Sequence, residues 1–393
     1  DVSVSITGTN ASAANTSPTV NMVGVQARAG GDLTVSATTN NAATDAIFIN
    51  SSAYFSGVPA PGYIGGASSF VSTGGNTTLK SNQGSILIQD GVPNSVTSTA
   101  ITGKNVIIDN TGGTFAGGVF TAGSGVSTAA GRSGVQIADS VRVNDPNLAS
   151  NPMLRTITAT DGGQIVLSGK KASTLGSGVE IRSSAALTAA NITINGENTG
   201  ASGAAINISN GAARLTSTQA TTLTSGGVGS GTSLVAAGNI SVGTQLTVTN
   251  PAAGSISGTI SGTGSLLKSG AGQLTLSAYN ATTANYETNT FSGGTTISQG
   301  ALVIGHGGGN YNKTAGTGAI VVGDLNTGNN NVSLLVEKGT PGNEWGYLTR
   351  DITFTNNGTG TATLGTTYGP GGETGRGWST VNSKITLNRD VVI

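Results

Sequence analysis

The chain has 393 residues, of which 9% are charged, with 17 Lys and Arg against 17 Asp and Glu and a formal net charge of +0. A surface of this kind has no field with which to hold nucleic acid or an anionic membrane. The absence of cysteine excludes a disulfide framework and thiolate metal sites, and a single histidine excludes imidazole-built ones.

Short apolar runs with period-2 alternation recur along the whole chain. They fall at residues 33–35, 47–49, 86–88, 106–108, 135–137, 165–167, 179–181, 192–194, 206–208, 240–242 and 246–248. Between them stand Gly, Ser, Thr and Asn, and the 64 glycines are more than double the usual ~7%. Disorder does not account for this composition, because 36% of the residues are hydrophobic and they are arranged as alternating strands. No segment keeps a 3.6-residue apolar period with caps, so no helix is expected. No apolar run approaches the ~20 residues of a membrane-spanning helix. Residues 2–6 and 391–393 also read as strands and Asp1 is not an initiator methionine, so the sequence is expected to be a mature or interior portion of a longer protein.

Strands of a few residues at coil-like intervals, with glycine at the corners, suit a right-handed parallel β-helix with protruding loops. The 20 residues from Ile86 to Val106 match one coil of a three-sided helix. At roughly 20 to 25 residues per coil the chain is expected to make about 16 to 20 coils. Four stretches break the rhythm and read as loops: residues 51–70, 144–154, 338–350 and 368–380. They hold Tyr54, Phe55, Tyr63, Phe70, Trp345, Tyr347, Tyr368 and Trp378, which become the candidates for contact with a partner. Tyr and Trp give contact area at low entropic cost, although the same rings can instead fold back over a coil face.

Residues 262–305 carry the clearest repeat. GTGSLLKSGAGQLTLS (262–277) is followed, after a polar spacer at 278–290, by FSGGTTISQGALVIG (291–305). The pattern resembles the autotransporter-associated β-strand repeat of large secreted bacterial surface proteins. Gly264, Ser265, Leu266, Lys268, Gly270, Gly272, Leu274 and Leu276 match its first half. Phe291, Gly293, Gly294, Thr295, Ile297, Gly300, Leu302 and Gly305 match its second. The match covers roughly one tenth of the chain, and the spacer is longer than the family shows, which suggests a loop inserted at a corner. Residues 316–324, 331–339, 351–365 and 383–390 are similar to the stretch on the C-terminal side of that repeat in the family. Segments such as AGGDLTVSA (29–37) and AAGNISVG (236–243) look more loosely like filamentous-haemagglutinin-type passengers. The resemblance therefore implies two regions of one solenoid, haemagglutinin-like coils over 1–250 and the autotransporter-associated repeat region over 251–393. Alternation places Leu266, Leu274, Leu276, Ile297, Leu302 and Ile304 in the core.

Catalytic motifs are scarce in the sequence. The lone His306 sits among glycines (GHGGGN), a poor platform for a triad. No serine has glycine two places before and after it, and neither G-x-x-x-x-G-K-(S/T) nor G-x-G-x-x-G occurs. Solenoid polysaccharide lyases and hydrolases need convergent acids, often with calcium. Here the densest groups are Asp139, Asp145 and Asp161 with Arg142 and Arg155, and Glu337, Glu344 and Asp351 with Arg350 and Arg376. Solvated ion pairs explain such groups. No cofactor and no metal is expected.

These observations lead to one expectation with two rivals. The expectation is a non-catalytic structural or adhesive segment of a bacterial cell-surface or secreted protein. It would be a rigid stalk presenting loops to other cell surfaces, glycans or copies of itself, continuous with further repeats and an outer-membrane anchor. The rivals are a self-assembling extracellular filament or sheath subunit, and a polysaccharide-degrading β-helix enzyme, which would show carboxylates within ~5 to 10 Å of each other in a cleft.

Overall fold

A computed structural model describes residues 2–50, 68–89, 99–138, 155–173, 175–182, 185–209, 213–227, 229, 231–280, 285–305, 310–338, 345–367 and 378–393. Among these the chain is a parallel β-helix, with one 3-10 turn at Tyr311–Lys313 and no α-helix. It divides into two compact units, residues 1–216 with 226–230, and residues 217–225 with 231–393.

In the first unit three parallel sheets rise side by side. The first sheet stacks Val4–Asn10, Leu33–Thr39, Thr77–Ser81, Val106–Asp109, Gln164–Lys171 and Asn191–Asn198. The second stacks Val20–Val23, Asp45–Asn50, Ser85–Gln89, Val135–Ala138, Val179–Ile181 and Ile206–Ile208. The third stacks Gln26–Ala29, Ser69–Ser72, Ala100–Gly103, Arg155–Ala159, Ala185–Ala189 and Arg214–Ser217. Strands of this length cannot bury a face alone, so each coil relies on the coil above and below for its hydrogen bonds. The second unit keeps the first two sheets from Ala220–Gly226 and Thr232–Ala236 onward. Among its described residues the third sheet holds only Asn239–Val242 and Ile260–Ser261 before the corner insertions replace it.

The eleven internal runs read as strands are all strands, whereas residues 391–393 form only an isolated bridge from Val392 to Thr363 and the first strand begins at Val4. Alternation sets the burial: Leu33, Val35 and Ala37 point inward from one strand, and Ile192 and Ile194 from another. Leu266, Leu274, Leu276, Ile297, Leu302 and Ile304 are all fully buried, as the alternation predicts. In the second unit Leu274, Leu302, Leu334 and Leu364 stand in register on successive coils and make a leucine ladder.

The coil length departs from expectation. Val4 pairs with Leu33, 29 positions on, Val106 with Ile165, 59 positions on, and Leu246 with Leu266, 20 positions on. The coils are therefore fewer than the 16 to 20 expected, because insertions at the corners lengthen them without disturbing the pairing. Ile86 and Val106 are not one coil apart, since Ile86 lies in the second sheet against Val135 and Val106 in the first against Thr77.

Corners are closed by polar side chains reaching backbone carbonyls, which satisfies groups the parallel ladder leaves over. Asn110 Nδ2 donates to the carbonyls of Gly84 (2.8 Å) and Lys170 (3.1 Å), and its Oδ1 accepts from Lys170 N. Asn250 Nδ2 donates to the carbonyls of Ala252 and Gln273. Two buried lysines play the same part. Lys171 Nζ donates to the carbonyl of Ala129, and Lys268 Nζ donates to those of Ser269, Gly270 and Gln299 at 2.9, 2.7 and 3.0 Å. Burial pulls Lys268 down to about 7, and Lys171 to about 8 against the opposing pull of the Asp45 carboxylate.

Candidate functional site

Eight aromatic residues stand as partner-contact candidates, and the structure places them differently. Tyr54, Phe55, Tyr63 and Tyr368 lie outside the described residues. Phe70 is not a contact residue: it sits in the strand Ser69–Ser72, is fully buried, and pairs with Ala27 below and Ile101 above. Its ring fills the third-sheet side of the core. Trp345 and Trp378 are register partners in a parallel pair, Trp345–Leu348 with Trp378–Val381, so the third and fourth aromatic loops end in one small sheet. In that pair Leu348 is buried and Tyr347 is 47% exposed.

The corner inserted after Leu276 adds a second aromatic group that the sequence reading does not single out. Tyr279 and Tyr286 are register partners in an antiparallel ribbon, Tyr279–Asn280 with Asn285–Tyr286. Their ring centroids are 5.1 Å apart at 57°, a tilted aromatic pair, and each residue is 37% exposed. Ala278, with φ 46, turns the chain out of the coil, and Glu287 N returns to the Ala278 carbonyl at 2.8 Å to close the ribbon's base. A signal for it exists in the sequence: YNATTANY (279–286) reads the same in both directions, so an antiparallel fold-back sets like residues opposite one another. Burial, then the Glu337 carboxylate and Tyr279, raise the Tyr286 phenol above its ordinary value.

Tyr311 underlies the group that carries Tyr347. It is fully buried, its hydroxyl donates to the Glu337 carbonyl, and it lies in the 3-10 turn against which the strand Trp345–Leu348 packs. Asn310 caps that turn by accepting from Asn312 N at 3.0 Å and bridges in parallel to Tyr347. Asn312 Oδ1 accepts from both the backbone and the hydroxyl of Thr349. The exposed ring of Tyr347 therefore stands on backbone held by a buried, hydrogen-bonded frame.

The two acid-rich groups singled out in the sequence do not assemble among the described residues. Asp139, Arg142, Asp145, Glu344 and Arg376 lie outside them, as does His306. Asp161 is exposed, Arg155 is buried in the third sheet, and Arg350 Nε donates to the Gly316 carbonyl at 2.8 Å. Among the described residues no three His, Cys, Asp or Glu side chains gather closely enough to hold a metal ion. Ion pairs join Arg132 to Asp45, Lys170 to Glu197 and Arg182 to Glu180, each a local pair on a coil surface or corner. No family model, curated protein or solved structure matches this chain.

Proposed function

We propose that this chain is a non-catalytic, adhesive segment of a bacterial surface or secreted protein, a β-helical stalk that presents aromatic contact groups at its corners. The observation that carries the reading is the pairing of a hydrogen-bonded coil stack of zero net charge with half-exposed tyrosines at Tyr279, Tyr286 and Tyr347 on its corners. With zero net charge, stacking of Tyr against the apolar faces of sugars or protein surfaces is the means of holding a partner that remains. Many weak contacts along one stalk add through effective concentration. The resemblance of residues 262–305 to the autotransporter-associated repeat supports export and a place at the cell surface, in continuity with further coils and an outer-membrane anchor.

The test is adhesion of the purified chain, coated on beads, to bacterial cells and to immobilised glycans. Binding that falls when Tyr279, Tyr286 and Tyr347 are replaced by Ala, with unchanged circular dichroism, supports the reading. Depolymerisation of a polysaccharide by the same preparation overturns it.

A further inference from the structure

The first unit contains a groove that the stalk architecture does not require. After Val106–Asp109 the chain leaves the coil as an antiparallel hairpin, Thr114–Ala116 with Val119–Thr121, in which Phe115 and Phe120 are register partners. Gly117 and Gly118, at φ 57 and 79, form its two-residue turn, and two positive φ values in succession are what the tight hairpin turn matching strand twist requires. The hairpin rises beside the outer face of the first sheet and encloses a groove of about 260 Å³.

Three coils make the floor. Thr34, Thr78 and Ile107 stand in register as one row, and Lys80 and Asp109 as the next. Ile107 faces outward by alternation yet is 2% exposed, so the groove has an apolar patch between the threonines and the phenyl rings. Asp109 is fully committed: it accepts from Thr111 N, Thr111 Oγ1 and Gly113 N at 3.0, 2.6 and 2.6 Å, which fixes the base of the hairpin. At the rim Asp32 Oδ1 accepts from Asn76 N, and Asn76 Oδ1 accepts from Asn105 Nδ2, both at 2.8 Å. Gln164 Nε2 donates to the Gly118 carbonyl at 2.6 Å and holds the tip. Among the described residues no hydrogen bond or ion pair engages the exposed Lys80 ammonium.

We propose that this groove binds one neutral hexose unit of a glycan, with an apolar face of the pyranose ring against Phe115 and Phe120 and its hydroxyls on Thr34, Thr78, Lys80 and Asp32. The volume, just below the about 300–1,000 Å³ of ligand pockets, suits a single ring and not an extended chain. Two half-buried phenyl rings supply an apolar wall, and the polar groups opposite are donors and acceptors mixed, which is the pattern of a polyhydroxylated ligand. Two carboxylates against one ammonium disfavour a uronate or sialate, whose own carboxylate would meet a net negative site. The proposal rests on the reading of the chain as a non-catalytic binder of surfaces.

The experiment is saturation-transfer NMR on the full chain, irradiating aromatic protons, with the methyl glycosides of glucose, galactose and mannose and of glucuronic acid as the anionic counterpart. The expected result is transfer to the ring C–H protons of at least one neutral glycoside, a Kd raised about tenfold in Phe120→Ala, and weakening in Lys80→Ala, an exposed position whose loss leaves the fold untouched. No transfer from any neutral glycoside at millimolar concentration, transfer that survives Phe115→Ala with Phe120→Ala, or preference for the glucuronide overturns it. Absence of transfer from every neutral glycoside while bead adhesion through the tyrosines persists would sink the groove and leave the adhesive reading standing. Hydrolysis of a bound glycoside would sink the non-catalytic reading and leave the groove.

Discussion

Lys268 Nζ donates to the Gln299 carbonyl at 3.0 Å, so one buried ammonium ties its own corner, through Ser269 and Gly270, to the corner of the next coil. The ammonium has three donors and meets three carbonyls, a complete match. Lys268→Met keeps the aliphatic stem and strands the Gly270 and Gln299 carbonyls, while that of Ser269 keeps Asn250 N at 3.2 Å. It is expected to destabilise the second unit by about 3 kcal/mol, at the cost of leaving part-buried carbonyls unpaired, measured as a fall in denaturation midpoint at constant slope.

The same lysine makes stability depend on pH. Its folded pKa of about 7 lies below the ordinary lysine value of 10.5 because burial disfavours the charged form. Between these values the unfolded chain holds the proton and the folded chain has released it, so stability rises with pH from about 7 towards 10.5. Lys171, lowered to about 8, adds slope of the same sign over the upper part of that window. Above the ordinary phenol value of 10.0, the raised Tyr286 pulls the other way. Denaturant titrations at pH 6, 8 and 9.5 check the prediction: Lys268→Met should flatten the rise between the first two, and an unchanged slope refutes the assignment.

The leucine ladder gives a second expectation. Leu334 lies between Leu302 and Leu364 in register and is fully buried, so Leu334→Ala opens a cavity walled by its neighbours on both coils. A cost of about 3 kcal/mol is expected. Combined with Leu302→Ala the two should fall short of additive, because the cavities merge. A double-mutant cycle with zero coupling would show that the coils relax independently.

Much of this fold is written in the period-2 alternation. Leu274, Leu276, Leu302 and Ile304 are legible because a strand with one buried face must place its apolar residues every second position. Coil length is not legible. Insertion at a corner leaves pairing intact, so nothing in residues 106–165 marks them as a single coil. Phe70 reads as a loop residue because its strand, Ser69–Ser72, is only four residues long with serine at both ends, too short for the alternation to show. The hairpin carrying Phe115 and Phe120 does have a signal, the Gly-Gly pair between Ala116 and Val119, but in a chain with 64 glycines one pair does not stand out. The fading of the third sheet after Ile260–Ser261 has no counterpart in the alternation, because what replaces it is irregular backbone held by Asn289, whose Oδ1 accepts from Ile260 N at 2.7 Å.

The tyrosine pair predicts a salt-insensitive adhesion. On the adhesive reading Tyr279 and Tyr286 would meet partners through ring faces, and the charges of the chain balance at zero. Attachment measured at 0.05 and 0.5 M NaCl is expected to differ by less than about twofold, since only charge-driven contacts are screened over this range. A steep loss at high salt would assign adhesion to ion pairs instead.

The loop at residues 51–67 offers the sharpest separation of contact from packing, because its ends meet. Ser68 Oγ donates to the Asn50 carbonyl at 2.7 Å, and Gly24 N donates to the same carbonyl at 2.9 Å, so the coil is closed whatever lies between. Replacing residues 51–67 by a two-glycine bridge therefore leaves the strands Asp45–Asn50 and Ser69–Ser72 in register with Ser85–Gln89 and Ala100–Gly103. A shorter loop costs less closure entropy, so stability is expected to hold or rise slightly. Adhesion is expected to fall with the loss of Tyr54, Phe55 and Tyr63. The deletion must stop before Ser68, since Phe70 belongs to the core and Phe70→Ala alone is expected to cost about 3 to 5 kcal/mol. Thermal unfolding of the two variants side by side decides the matter. If the loop-deleted chain unfolds as readily as Phe70→Ala, then Tyr54, Phe55 and Tyr63 pack against the coils, and their role in contact is refuted.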